Sequence, residues 1–309
     1  MSSQGSTHSD PNGFKYYHYD PSGTAALLFA VIFAISAALN AYQMARTRTW
    51  YSIPFIIAGI LSFIGYIGRY ISSTQTPDWT LGPYLIQTLL LLVAPALFAA
   101  TIYMELKRII ALVNGEHLAP IPMRWLTKLF VAGDVLSLLL QAGGGGIMSM
   151  DDKDMYELGQ KIVVVGLLVQ IIFFGLFGVT SIIFHRRVQS QPTALSNYPD
   201  LPWRKHIFAL YFMSTLILIR SVFRVIEFAQ GNDGVLLSKE IYLYIFDTLL
   251  MTCVTFTMNT VHPSELDALS HGGLVSRAGG IRYEFVQPVD GKRFGSASEL
   301  TAMRAAIQA

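Results

Sequence analysis

The sequence predicts an all-α polytopic membrane protein, a bundle of seven transmembrane helices with the N-terminus outside and the C-terminus cytoplasmic. Three observations carry that expectation. The 309 residues are 52% hydrophobic and only 14% charged, against about 25% charged in a soluble domain. Seven apolar runs reach the roughly 20 residues a helix needs to cross the hydrocarbon core. Lys and Arg alternate in density from one connection to the next, as the positive-inside rule requires.

The spans are expected at 23–44, 50–71, 80–104, 125–147, 158–184, 206–229 and 240–261. Each run is continuous rather than alternating, which excludes a membrane β-barrel. The polar stretch 1–22 precedes the first run and lacks the apolar centre of a cleavable signal peptide, so the first run is read as an uncleaved anchor. Segments 45–49, 105–124, 185–205 and 262–309 hold two, three, four and five basic residues. Segments 1–22, 72–79, 148–157 and 230–239 hold one, none, one and one. The richer set marks the cytoplasmic side, and the acidic stretch "SMDDKDMYE" suits the outer one. Residues 262–309 are polar, Gly/Ser-containing and without a long apolar period. They read as a mostly disordered cytoplasmic tail with a short helix near "ASELTAMRAAI".

Charges inside these runs are costly, at about 2.5–3.5 kcal/mol each on insertion scales, so they must face the bundle interior. The sixth run contains "RSVFRVIEFAQG". Arg220, Arg224 and Glu227 stand at helical spacing and share one face. The seventh begins "KEIYLYIFDTLLM", which puts Asp247 about two turns, near ~10 Å, below its outer end. Arg224 lies at a comparable depth one helix earlier, so Arg220 or Arg224 is expected against Asp247, with Glu227 and Glu240 nearer the outer surface. Arg69 ends the second run. Gln87 lies in the outer half of the third, above Pro95, which should kink that helix. Asp134 and Gln141, seven residues apart, share a face of the fourth, and Gln170 is near the middle of the fifth. These groups are expected to converge on one zone between the midplane and the outer leaflet. Two readings attach to them: a buried ion-pair clamp that fixes packing, or a vestibule for a solute. The two are compatible, with Arg224–Asp247 structural and Glu227 and Glu240 nearer the solute.

Glycines carry two further expectations. "QAGGGGIM" closes the fourth run with four glycines, and reads as a helix end with a tight turn or as an unwound, cavity-lining segment. "GLFGVT" in the fifth reads as a small-residue helix contact.

Several chemistries are excluded. No GxxxxGK[ST] loop is present, so the chain has no ATPase engine of its own. The seven histidines, His8, His18, His117, His185, His206, His262 and His271, fall on tails, connections or span ends, and none shares a helix face with another at ligand spacing. The lone Cys253 allows neither an internal disulfide nor a Cys-based zinc site. The chain is therefore read as a non-enzyme with no cofactor, no metal and no nucleic-acid partner.

The ordered segments "FIGYIGR", "LLLVAPALFAATIYMEL", "GDVLSLLLQAGGGG", "GLLVQIIFFGLF", "RSVFRVIEFAQG" and "EIYLYIFDTLLMTCVTFTMNTVHP" resemble the fungal lipid-translocating exporter family, over residues 17–263. These are seven-span proteins associated with resistance to aminocholesterol and to sphingoid long-chain bases. The resemblance implies a fungal source, a plasma-membrane or related location, and membrane lipids or an amphiphilic amine as partners. It also implies an acidic residue one turn before the Gly-Tyr pair of the second span, where this chain has "LSFIGY" with Ser62 and Phe63. Arg69 is then expected to take its counter-charge from Glu227 or Asp247.

Two functions follow. The first is a translocase or exporter of amphiphilic lipids such as sphingoid bases. Asp247, Glu227 or Asp134 would bind the amine, Arg220 and Arg224 would keep those acids ionised or contact a phosphate, and Asp134, Gln141, Gln87, Arg69 and Glu240 would complete the lining. The alternative is a seven-span receptor or sensor that binds an amphiphile without moving it.

Overall fold

The computed structural model describes residues 20–76, 80–148, 153–193, 195–197, 201–230 and 240–266, and the backbone of 275–277 and 283–285. Among the described residues, seven helices are long and apolar enough to cross a membrane. They are α1 (Gly23–Thr47), α2 (Ile53–Thr74), α3 (Leu81–Leu112), α4 (Met123–Met148), α5 (Lys153–Ser190), α6 (Trp203–Gln230) and a seventh in three parts. That seventh helix is α-helical over Glu240–Leu243, π-helical over Tyr244–Leu249 and α-helical again over Leu250–Thr260. The face of the bundle at which α1 begins is called the N-terminal face below, and the opposite one the C-terminal face.

Helix ends follow local chemistry rather than the limits of apolar runs. Ser22 caps α1, its Oγ accepting from the Ala25 N–H at 3.4 Å, as an N-cap residue should. Pro54 sits in the first turn of α2, where a missing N–H costs nothing. α3 and α5 run for 32 and 38 residues, roughly 48 and 57 Å at 1.5 Å per residue. Both exceed a hydrocarbon core of about 30 Å, so their polar ends stand in the headgroup layers. Part of the acidic stretch read as a connection, from Lys153 onward, is the first turn of α5. The segment expected as a helix near "ASELTAMRAAI" lies outside the described residues. In the same tail, Val275–Arg277 pairs antiparallel with Tyr283–Phe285.

α3 is the central helix, packed against α2, α4 and α6. Its Ala94, Phe98, Ile102, Tyr103, Leu106 and Ile110 are all buried. Leu28, Ile35, Leu139, Ile172 and Phe256 are among the large apolar side chains left exposed, which in a membrane is the lipid-facing surface.

The four glycines of "QAGGGGIM" correct the expectation of a turn or an unwound segment: α4 stays helical through all of them to Met148. The reason lies in the neighbouring helix. A Cβ at Gly144 would stand 2.6 Å from the Gly159 carbonyl and 2.9 Å from the Val163 nitrogen of α5. The same seam continues at Gly166, whose Cβ would meet the Ser137 carbonyl at 3.0 Å, and at Gly133, where an added Cβ would stand 2.3 Å from the Phe173 ring. Backbone-to-backbone packing of this kind compensates the weak helix propensity of glycine. "GLFGVT" is also corrected, since Gly175 and Gly178 meet nothing within 4 Å and mediate no close contact.

Gly144→Ala should lower the thermal stability of the purified protein by about 1–3 kcal/mol, the usual cost of overpacking. Gly143→Ala, where a Cβ meets nothing within 4 Å, should be neutral or stabilising by about 0.5–1 kcal/mol.

Candidate functional site

Arg220, Arg224 and Glu227 of α6 are buried, as is Asp247 of the seventh helix, with Arg220 at 1% and Asp247 at 3% exposure, and they meet across the α6–seventh helix contact. Arg220 Nε donates to Asp247 Oδ1 at 2.5 Å. Arg224 Nη2 donates to Asp247 Oδ2, and Arg224 Nη1 to Glu227 Oε2 at 2.9 Å. Asp247 thus holds both arginines, one on each oxygen, and the four charges cancel. The π-helical turn widens the backbone where the acid sits, because Asp247 is the fourth of the six residues in Tyr244–Leu249. Such insertions are frequent at functional positions.

A third helix joins through a proline. Pro95 has no N–H, so the carbonyl four residues earlier, that of Leu91, loses its helical partner. An orphaned carbonyl in a membrane interior must find another donor. Arg220 Nη2 supplies it at 2.7 Å. The proline of "LLLVAPALF" therefore creates the acceptor that ties α3 to the α6 arginines.

Toward the N-terminal face, Arg69 of α2 corrects the expected pairing. It bonds Glu240, not Glu227 or Asp247, with Nη2 2.7 Å from Oε1. Its Nε donates to the Tyr244 hydroxyl at 3.2 Å. Glu240 in turn accepts the Ser22 N–H at 2.9 and 3.1 Å, so one carboxylate fastens the start of α1, the end of α2 and the start of the seventh helix. Tyr66, one turn before Arg69, bonds the Thr248 hydroxyl at 2.5 Å, beside Asp247. Ser62, at the position where an acid was expected, is buried and bonds back to the Ala58 carbonyl at 2.9 Å.

Among the described residues, Asp134, Gln141 and Gln170 share no hydrogen bond with the Arg220–Arg224–Asp247 cluster. Gln141 Nε2 reaches Ser137 Oγ at 2.5 Å and Gln170 Oε1 at 3.3 Å. Ser137 Oγ donates to the Gly166 carbonyl at 2.8 Å. Asp134 accepts a bond from the Tyr103 hydroxyl on Oδ2 at 2.9 Å, while its Oδ1 has no hydrogen-bond partner. Among the described residues, no cation is bonded to it. The Tyr103 ring lies among Phe177, Phe130 and Phe174, with centroids at 4.6, 5.4 and 6.0 Å. Gln87 is buried on α3.

A second ionic cluster near the C-terminal face escaped the sequence reading. His206 of α6 is fully buried, its Nδ1 3.1 Å from Glu105 of α3 and its Nε2 3.1 Å from Glu265. Lys205 Nζ also reaches Glu265, at 3.0 Å. Both ring nitrogens face carboxylates, so both donate. Beside it Asn40, Ser36 and Gln43 of α1 bond Asn259 at 2.8, 2.7 and 3.1 Å. The signals were Glu105 inside "IYMELKR" and the polar phase of "SAALNAYQ", each masked by apolar neighbours.

Asp247→Asn leaves two buried guanidinium groups facing one neutral amide. It should destabilise the protein by about 3–5 kcal/mol, the cost of removing one partner of a buried ion pair. Glu227→Gln, which serves Arg224 alone, should cost less. Thermal unfolding of both variants in the same detergent checks the order.

Residues 55–268 match the family model described as RTA1 like protein. Among relatives in Saccharomyces cerevisiae, Protein RTA1 is 40% identical over 78% of this chain and 82% of its own length. Protoporphyrin uptake protein 1 is 36% identical over 84% of this chain and 96% of its own length. Sphingoid long-chain base transporter RSB1 is 27% identical over 75% of this chain and 69% of its own length. No solved structure matches the chain. With more than half of its length matched to the family model and relatives of this identity and coverage, the chain is a multi-pass membrane protein of the RTA1-like family.

Proposed function

We propose that the protein moves single-chain amphiphiles with a cationic head group, such as sphingoid long-chain bases, across the membrane, and that Asp134 is the counter-ion for the amine. The supporting observation is the division among the buried acids. Asp247 is engaged by two arginines, Glu227 by one of them and Glu240 by Arg69, so these three already have their cations. They act as the clamp of the bundle. Asp134 is 3% exposed, has one oxygen without a hydrogen-bond partner and bonds no cation. An ammonium placed there would gain the carboxylate and the π faces of Tyr103, Phe130 and Phe177. The Gln141–Gln170 pair one to two turns away on the same α4–α5 seam offers hydrogen bonds to hydroxyls next to an amine. The name of one relative, a sphingoid long-chain base transporter, is consistent with this solute class.

The N-terminal face is assigned to the outside and the C-terminal face to the cytoplasm, in a plasma membrane or a related one. The support is the excess of Lys and Arg in the C-terminal-face connections, the side that positive charge marks as cytoplasmic.

Protein reconstituted in liposomes should move a fluorescent long-chain base between leaflets faster than protein-free vesicles do. Asp134→Asn should slow that movement at least about tenfold, the effect of about 1.4 kcal/mol, while thermal stability stays near that of the parent. Saturable binding with no movement above the vesicle background would instead identify a sensor of the same amphiphiles.

A further inference from the structure

Asp134 bears on a second question, the source of the energy for transport. The groups facing it come from three directions. α3 presents Tyr103, which among the described residues is the titratable residue hydrogen-bonded to it. α5 presents Phe173 over Gly133 and, around Tyr103, Phe174 and Phe177. α4 itself contributes Phe130 and Ser137, one turn to either side. Among the described residues, no Lys, Arg or His bonds Asp134. A carboxylate in such a place has no compensating charge, and bare ions are not tolerated in a low-dielectric interior. The acid therefore always carries a cation of some kind, and two are available. One is a proton and the other is the ammonium of the solute.

We propose that the protein is a proton-coupled exchanger in which a proton and an amphiphilic ammonium occupy Asp134 in turn. When the ammonium arrives, the O–H bond of the Asp134 carboxyl breaks, the proton leaves to water, and the carboxylate pairs with the incoming cation. The reverse step reprotonates the acid and releases the amine. One positive charge replaces another, so no oxidant, reductant or nucleotide enters the balance. Tyr103 is a positioning residue: its hydroxyl holds Oδ2 at 2.9 Å and leaves Oδ1 for the exchanging cation. This inference rests on the assignment of Asp134 as the amine site, and its test separates the two.

The experiment uses the full-length protein in lipid nanodiscs and dodecyltrimethylammonium, whose charge does not change with pH. Affinity should rise about tenfold per pH unit across the range in which the acid is protonated, because proton and probe compete for one site. In weakly buffered solution with a pH indicator, each probe bound should release about one proton over that range. Asp134→Asn keeps an oxygen for the Tyr103 hydroxyl, and it should abolish the release and flatten the pH dependence of any residual binding. Tyr103→Phe should retain proton release with a displaced pH profile, a change a purely structural tyrosine would not give. Saturable binding by the parent protein with no proton release and no pH dependence overturns the exchange while leaving the amine site in place. Undiminished proton release from Asp134→Asn moves the exchange to another residue and overturns this assignment. Failure of the parent protein to bind the probe overturns the amine site and the exchange together.

Discussion

Cancellation of charge inside the bundle is the constraint on which the rest of the structure depends, and Asp247 is where it is concentrated. Two arginines one helical turn apart on α6 close on its two carboxylate oxygens. Without that acid, α6 would bring uncompensated guanidinium groups into a medium where each costs several kcal/mol. With it, the interaction sets the rotation of α6 against the seventh helix. The π-helical turn follows from the same requirement, since the backbone widens at the residue that must reach both arginines. Pro95 extends the interaction to α3 by freeing a carbonyl, which Arg220 satisfies.

The same principle divides the bundle along its length. Near the N-terminal face, Glu240 neutralises Arg69 and caps the approach to α1. Near the C-terminal face, His206 lies between Glu105 and Glu265. Each cluster joins helices far apart in sequence, so the ionic contacts act as cross-links between elements whose apolar surfaces have no aqueous reason to associate in lipid. At the α4–α5 seam, where no salt bridge joins the two helices among the described residues, glycines provide the alternative. Gly144 and Gly159 allow the backbones to touch, and dispersion and polar contacts take over from charge.

The apolar runs made the number of spans legible, because lipid permits only helices that satisfy their own backbone. The stripe of Arg220, Arg224 and Glu227 was legible for the same reason: three charges in one apolar run must share an inward face. Partners were harder to read. Arg69 pairs with Glu240, 171 residues away, and nothing local distinguishes that choice from Asp247 seven residues on. The π-helical turn shifts the register within "YIFDTL" and has no compositional signature. Glu105 was hidden because the apolar run ends there while α3 continues to Leu112. Long basic side chains such as Lys107 and Arg108 reach the interface from within a helix, so the end of a run does not mark the end of the helix. Helix propensity misled at "GGGG", where tertiary contact with α5 outweighs the local cost.

Pairing of the other buried acids with basic groups among the described residues sets Asp134 apart. Because the other buried acids are matched by bases within the protein, a cation that enters the α3–α4–α5 side changes the internal charge at one carboxylate only. If that carboxylate stood permanently bare, helix α4 would bear an uncompensated charge. If it were permanently paired with an arginine, as Asp247 is, no solute would displace a partner tethered at such high effective concentration. A carboxylate held by one neutral hydroxyl lies between these limits. Proton and ammonium are both mobile and both of unit charge, so exchanging them keeps the interior neutral at each step. In the proposed exchange, the low-dielectric surroundings that make a bare ion intolerable would also couple the loss of one cation to the gain of the other.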